Sequence, residues 1–311
     1  MPDSIDLLTS CPFRVETARK AGWTRKELER RVHDGTLLRL RRGVLVARAV
    51  YEAADSSGQH ALRVQAQQLV LDDTCASHGS AATVYALPVR WPLLRVELTS
   101  PTVRPRDRSD LRLHRAPLPD HHRALHRGTL PVTSPARTVA DCARTQSLRD
   151  ALVVADAALD RGLTTPEELS SIVAELKGWP AAPSCGRVLA LARVAESPGE
   201  TLLRVDLLDL GFADVVTQAR VRGASGRRYR VDLLLPSLGA IGEFDGAVKY
   251  GGLDGQPGTD VLAREKQRED DLRLAGWGVF RVTWQELGNL ALLRRKLEHA
   301  ALLSRRAARP A

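Results

Sequence analysis

The sequence predicts an α/β protein of several domains: a basic N-terminal unit of helices and a hairpin, a middle α/β module, and a C-terminal core of order αβββαβα. The chain has 311 residues, enough for two or three domains of about 100–200 residues each. Pro and Gly cluster between residues 178 and 186, which is typical of a linker. Helix and strand patterns alternate in order after that cluster. We therefore expect domains at residues 1–50, 51–180 and 187–311.

Composition and charge narrow the class of protein. Hydrophobic residues make up 43% and charged residues 27% of the chain, close to the globular norm. No apolar run approaches the ~20 residues that span a bilayer, and the N-terminus lacks the features of a signal peptide. We expect a cytoplasmic protein that does not enter membranes. The net charge of +9 and the pI near 9.9 indicate a nucleic-acid partner.

The N-terminal region predicts two short helices followed by a hairpin. The first helix covers Val15–Ala21, and a turn containing glycine follows it. Thr24 and Glu27 have the spacing of a capping box, which starts the second helix. This order indicates a helix-turn-helix. Leu37–Val46, with Gly43 at its turn, is typical of the β-wing of a winged helix.

The same region is strongly basic. Ten basic and three acidic residues lie between Arg19 and Arg48. Cations on such a unit meet DNA phosphates or enter a groove, and double-stranded DNA is the expected partner. The alternative is that the winged helix binds another protein. The predicted DNA-binding residues are Arg25, Lys26, Arg30, Arg39, Arg41 and Arg42.

These motifs resemble the N-terminal winged-helix domain of the AbiEi family of type IV antitoxins, which are DNA-binding transcriptional autoregulators. The matching residues are Ala21–Thr24, Leu28, Asp34–Leu37 and Arg39–Val44. The resemblance extends through residues 76–82 and 131–141. It implies a cognate toxin as a further partner.

The middle region carries few chemical signals. Leu94–Thr99 and Leu111–Arg115 have strand patterns, and Ser134 is placed to cap a helix. Three histidines follow two prolines: His121, His122 and His126. Because this stretch lacks the Glu of an HExxH motif, we expect a solvated loop there and no metal.

The C-terminal region predicts two neighbouring strands that bring acids together. If residues 236–239 form a four-residue hairpin loop, Leu235 faces Ala240. That register places Asp232 opposite Glu243, and Arg230 opposite Asp245. Like charges directly opposed across strands are destabilising, so a cation is expected among them. Oxygen ligands of this kind suit Mg²⁺ or Mn²⁺.

Two further residues complete this predicted site. Lys249 follows the second strand, and its ammonium could stabilise charge on a phosphate or orient the attacking water. Glu200 lies at a helix start, where a capping box with Ser197 explains it without catalysis.

The element order resembles the core of the PD-(D/E)xK, or restriction-endonuclease-like, nucleases, and most closely the very-short-patch-repair-like branch. The matching motifs are Val231-Asp232, Glu243–Gly246, Lys249 and Gly276–Arg281. The resemblance implies Asp232 and Glu243 as metal ligands, Asp245 as a further ligand or base, Lys249 as charge stabiliser and Glu200 as the outer acid. One departure is that Asp245 stands where the family has Lys.

Three functions follow from these observations. The leading prediction is a DNA-binding protein with a Mg²⁺-dependent endonuclease domain that hydrolyses phosphodiester bonds. The main alternative is an AbiEi-like antitoxin and transcriptional regulator that keeps an inactive nuclease fold as a scaffold. The third is a protein that binds a toxin, or RNA, through its basic surface. Metal-bridging distances among Asp232, Glu243 and Asp245, with Lys249 nearby, would favour the enzyme. Arg230 or another cation in that pocket would favour the regulator.

Overall fold

The computed structural model describes residues 10–246 and 259–307. The chain divides into two compact units, one containing residues up to Val154 together with Gly162–Ala190, and the other containing Ala155–Arg161 together with the chain from Leu191 onward. The predicted domains 1–50 and 51–180 therefore fall mostly within the first unit. Within the described residues, no helix is long and apolar enough to cross a bilayer.

The first unit begins with two short helices and a hairpin, as predicted. Its elements are β1 (Phe13–Arg14), α1 (Val15–Lys20), α2 (Arg25–His33), β2 (Leu37–Arg41) and β3 (Val44–Ala47). The strands form an antiparallel sheet in the order β1-β3-β2. The capping box of Thr24 and Glu27 is present at the start of α2. Leu28 of α2 packs on Phe13, Leu37 and Leu45 in a small core.

The rest of the first unit is an α/β module built on a six-stranded sheet of order β6-β7-β5-β4-β9-β8. Its core includes Val64, Leu98, Leu113 and Val132. The strand predicted at 94–99 covers Val96–Ser100. The elements of this part of the chain are α3 (Arg48–Ala53), α4 (Ser56–Gln68), β4 (Cys75–Ala76), α5 (His78–Val84), β5 (Val96–Ser100), β6 (Arg106–Asp107), β7 (Leu111–Arg115), β8 (Arg123–His126), β9 (Leu130–Thr133), α6 (Pro135–Thr145), α7 (Leu148–Asp160), α8 (Pro166–Glu175) and α9 (Ala182–Leu191). The C-terminal part of α7, from Ala155 onward, belongs to the second unit.

Two local predictions in this module need correction. The histidine stretch is not a solvated loop, because Asp120–His122 forms a 3₁₀ turn that leads into β8 and His122 is buried. The predicted linker at 178–186 is partly helical, because α9 begins at Ala182. Its Cys185 is buried and its thiol contacts the Ala140 carbonyl of α6 at 3.4 Å. By contrast, Ser134 caps α6 as predicted.

The second unit follows the predicted order of helices and strands. Its last helix begins at Leu290. The strands form a sheet of order β10-β11-β12-β13, in which only the pair β12–β13 is parallel among the described strands. The elements are α10 (Pro198–Asp209), β10 (Val216–Arg222), β11 (Arg228–Leu235), β12 (Ala240–Asp245), α11 (Thr259–Leu274), β13 (Gly278–Thr283) and α12 (Leu290–Ala307).

Two apolar clusters stabilise this sheet. One joins Leu203 and Leu207 of α10 and Leu297 of α12 to Leu233 and Leu235 of β11. The other packs Leu272 of α11 on a group of small strand side chains that includes Val231, Ile241 and Val279. The ends of β11 and β12 are thereby fixed relative to α11 and β13, each of which supplies one of the two arginines described below.

Candidate functional site

The exposed face of α2 carries the first group of predicted DNA-binding residues. Lys26 and Arg30 are exposed and lie four residues apart, so they share one face of the helix. Among the described residues, neither side chain has an ion-pair partner. Arg25 differs, because its Nε contacts Glu29 Oε1 at 2.7 Å, and that carboxylate offsets its charge.

The hairpin carries the second group. Arg39 and Arg42 are exposed, but Arg41 is half-buried and its Nη1 donates to Gln67 Oε1 on α4. Burial lowers the pKa of Arg41 from its ordinary value. The reason for the difference is a β-bulge between Arg39 and Arg41, which breaks the alternation that the sequence predicts. The Arg41 side chain therefore packs against α4, whereas those of Arg39 and Arg42 are exposed to solvent.

In the second unit, the predicted hairpin register is present where the two strands pair. Leu235 faces Ala240, and the ladder continues to Leu233 opposite Gly242. It ends there, so neither the predicted opposition of Asp232 and Glu243 nor that of Arg230 and Asp245 forms within the ladder. Arg230 instead contacts Glu196 at 2.6 Å.

The two central acids of the predicted metal site contact donor groups of the protein itself. The backbone N–H of Phe244 donates to Asp232 Oδ2 at 2.9 Å. Glu243 forms ion pairs with Arg268 of α11 at 2.9 Å and with Arg281 of β13 at 3.4 Å. Two guanidinium groups thus lie where the sequence predicts a metal ion.

The remaining predicted site residues are placed as follows. Asp245 is half-buried and lines, with Glu243, a small cavity of about 180 Å³. Glu200 is buried, and its carboxylate accepts hydrogen bonds from the backbone of Glu196 at 3.1 Å and from Gln218 Nε2 at 2.8 Å. Lys249 lies outside the described residues.

Burial sets the electrostatics of this acid cluster. It raises the pKa of Asp232, Glu243 and Glu200 above the ordinary values, because a low-polarity environment penalises the charged form. Arg268 and Arg281 act in the opposite direction on Glu243, but burial is the larger influence. The ionised acids therefore cost folding free energy unless a cation compensates them.

The donor set does not fit a divalent cation as it stands. Across the described residues, the oxygens of Asp232, Glu243 and Asp245 do not form a group of three within 4.8 Å of one another. Both Glu243 oxygens pair with guanidinium groups, and Asp232 Oδ2 accepts the backbone N–H of Phe244.

A different group does have ligand-like geometry in the described part of the chain. Nε2 of His121 and Nε2 of His122 lie 2.8 and 3.0 Å from Glu175 Oε2. However, His122 Nδ1 lies 2.8 Å from Arg137 Nη1, and arginine only donates. His122 therefore accepts at Nδ1 and carries its proton on Nε2, whereas a metal-bound histidine donates from its other nitrogen. This cluster is a hydrogen-bond network and does not fit a metal.

One charged surface was missed by the sequence reasoning. On β10 and β11, Arg220 faces Arg230 and Arg222 faces Arg228, and all four are exposed. The signal was present as two Arg-x-Arg repeats, at 220–222 and 228–230. Because like charges directly opposed across strands repel, this face costs stability.

Two family models match segments that lie mostly in the first unit. Residues 12–47 match a family model described as "Transcriptional regulator, AbiEi antitoxin". Residues 70–191 match a second model, described as "AbiEi antitoxin C-terminal domain". The AbiEi-type resemblance is confirmed. The two matches cover α1, α2 and the hairpin, and then nearly all of the six-stranded module.

The chain also has relatives that extend beyond the AbiEi-like regions. Two are the uncharacterized proteins Rv2248 and MT2308 of Mycobacterium tuberculosis, from strains ATCC 25618 / H37Rv and CDC 1551 / Oshkosh. Each is 26% identical over 262 residues, which covers 82% of this chain and 89% of the relative. A match of that length necessarily includes the strands that carry Asp232 and Glu243. The match therefore extends from the first unit into the second.

Proposed function

We propose that this protein is a DNA-binding transcriptional regulator of the AbiEi antitoxin type, with duplex DNA and a cognate toxin as its partners. The observation that carries the proposal is the pair of AbiEi family matches at residues 12–47 and 70–191, in the order of an antitoxin's two domains. The N-terminal match coincides with the most basic part of the chain.

The geometry of that region supports DNA binding through a winged helix. In this proposal α2 is the recognition helix that enters the major groove, and the hairpin β2–β3 is the wing. Lys26 and Arg30 are exposed on α2, and Arg39 and Arg42 are exposed on the wing. Because none of these four side chains forms an ion pair within the described residues, they remain available for phosphates. Arg41 is left out of the contact set.

The second unit is proposed to be a restriction-endonuclease-like scaffold that does not cleave DNA. The supporting observation is that Arg268 and Arg281 pair with Glu243. A guanidinium held by a carboxylate is an alternative to a metal ion for compensating buried negative charge. The usual motif lysine is also replaced, by Asp245.

The DNA part of this proposal is tested by selection from a random duplex library with the full-length protein. We expect enrichment of one duplex motif, and we expect that motif in the region upstream of the protein's own gene, since AbiEi regulators repress themselves. Recovery of no motif, together with an affinity equal to that of the Lys26→Ala/Arg30→Ala variant, would overturn the proposal.

The absence of cleavage is tested separately. Supercoiled plasmid is incubated with the protein in Mg²⁺, in Mn²⁺ and in chelator. We expect no metal-dependent nicking. Nicking that requires the metal and disappears in Asp232→Asn would restore the nuclease function for the second unit without affecting the DNA-binding proposal.

A further inference from the structure

A cleft of about 730 Å³ lies in the first unit, between the strands β6 and β7, the helix α6 and the turn that contains Trp179. Small-molecule sites in proteins have volumes of roughly 300–1,000 Å³. Leu113, Pro117 and Trp179 form apolar parts of its wall. None of the proposed DNA-binding residues lines this cleft.

The base of the cleft holds a buried ion pair with one unused oxygen. Arg137 is 1% exposed and Asp141 is 0% exposed. Arg137 Nε donates to Asp141 Oδ1 at 3.0 Å, and Arg144 Nη1 approaches the same oxygen at 3.5 Å. Asp141 Oδ2 is buried and has no hydrogen-bond donor among the described residues. Buried carboxylate oxygens are normally satisfied, so Oδ2 is an acceptor suited to an O–H or N–H group of a ligand.

The rim of the cleft carries positive charge that the protein does not neutralise. The Asp107 carboxylate on this rim forms ion pairs with Arg95 and Arg112. Arg106 and Arg115 also line the cleft, both are exposed, and neither has an acidic partner in the described part of the chain. Two such guanidinium groups suit a phosphate, which they bind with charge-assisted hydrogen bonds.

Aromatic rings line the space between the base and the rim. His78 stacks on His114 with ring centroids 3.9 Å apart. His78 is buried, and its backbone is left-handed, with φ of 51°. Across the cleft, the Trp179 ring lies 5.0 and 5.1 Å from the guanidinium carbons of Arg137 and Arg144. Rigid ring walls favour a flat ligand group.

We propose that this cleft binds a phosphomonoester of mononucleotide size, with its phosphate at Arg106 and Arg115 and a donor group at Asp141 Oδ2. A nucleoside monophosphate and a sugar phosphate share this chemistry. The site lies in the AbiEi-like module, so the ligand state of this module becomes a signal that is separate from DNA binding.

Isothermal titration of the full-length protein with GMP, AMP, ribose 5-phosphate and inorganic phosphate tests the proposal without DNA or toxin. At least one organic phosphate should bind with a Kd below about 1 mM. Inorganic phosphate should bind at least tenfold more weakly, because it has no ring or sugar to contact the apolar and aromatic walls of the cleft. Binding of the nucleotides alone identifies a nucleotide site, and equal binding of ribose 5-phosphate identifies a sugar-phosphate site.

The variant Arg106→Ala/Arg115→Ala should lower the affinity for that ligand at least tenfold, while Arg187→Ala, which removes an exposed arginine of α9 outside the cleft, should not. Both changes lie on the surface and spare the fold. Asp141→Asn should lower the affinity for the organic phosphate and leave the affinity for inorganic phosphate unchanged. The proposal is overturned if no organic phosphate binds, or if binding is equal in the wild type and in Arg106→Ala/Arg115→Ala.

Discussion

The two exposed arginines of the hairpin offer the sharpest test of DNA binding. Arg39 and Arg42 lie on the surface, so replacing both by alanine removes charge without disturbing the small core beneath β2 and β3. Each lost phosphate contact lowers the slope of log K against log salt by about 0.9. Two contacts therefore lower the slope by about 1.8, which at 0.1 M salt corresponds to an affinity loss of about 60-fold.

The assay is fluorescence anisotropy of a labelled duplex over a series of salt concentrations. Arg104→Ala/Arg187→Ala is a matched control, because it removes the same charge from exposed positions outside residues 12–47. Arg41→Ala should change the slope less than Arg42→Ala, since Arg41 is held by Gln67. An unchanged slope in Arg39→Ala/Arg42→Ala, or an equal decrease in the control, would refute the assignment of the hairpin to DNA.

Three further predictions concern stability. Asp232→Asn should raise the melting temperature at pH 7, and the gain should vanish as the pH falls to about 4. Burial raises the pKa of Asp232 in the folded state, so the unfolded chain ionises first as the pH rises above about 4, and this difference favours unfolding; melts over a pH series, with and without Mn²⁺, check this. Arg228→Glu places a carboxylate opposite Arg222 and should stabilise the second unit by about 0.2–1 kcal/mol in urea titrations, an effect that high salt should reduce. Gly278→Ala should destabilise by about 1–3 kcal/mol, because its Cβ would collide with a backbone carbonyl of α12, whereas Gly186→Ala in α9 meets open space and should stabilise by about 0.5–1 kcal/mol.

The sequence predicted well those features that depend on neighbouring residues. Gly22 ends α1, and the capping box of Thr24 and Glu27 begins α2, because caps act over three or four residues. The register of β11 and β12 also follows from local chemistry. A four-residue connection ending in Gly239, with φ of 58°, fixes which residues face each other.

Features that depend on distant partners could not be predicted in the same way. Arg41 donates a hydrogen bond to Gln67, which lies 26 residues later in the chain. Arg137 donates one to His122 because α6 packs on the module. Glu243 pairs with Arg268 and Arg281, which come from two later elements. No spacing rule connects such residues, so the sequence identified the acids but not the cations that compensate them.

The negative charge of the acid cluster can be compensated in two ways, by a metal ion or by guanidinium groups. Asp232 and Glu243 interact at the ends of β11 and β12, and ionising both of them against burial requires a positive charge beside them. From the sequence alone the expected cation is a metal ion, because Asp232 and Glu243 have the types and spacing of ligands. In the structure the cations are guanidinium groups, which are always charged. A metal would have to displace both arginines from Glu243, and this competition supports the proposed structural role of the second unit.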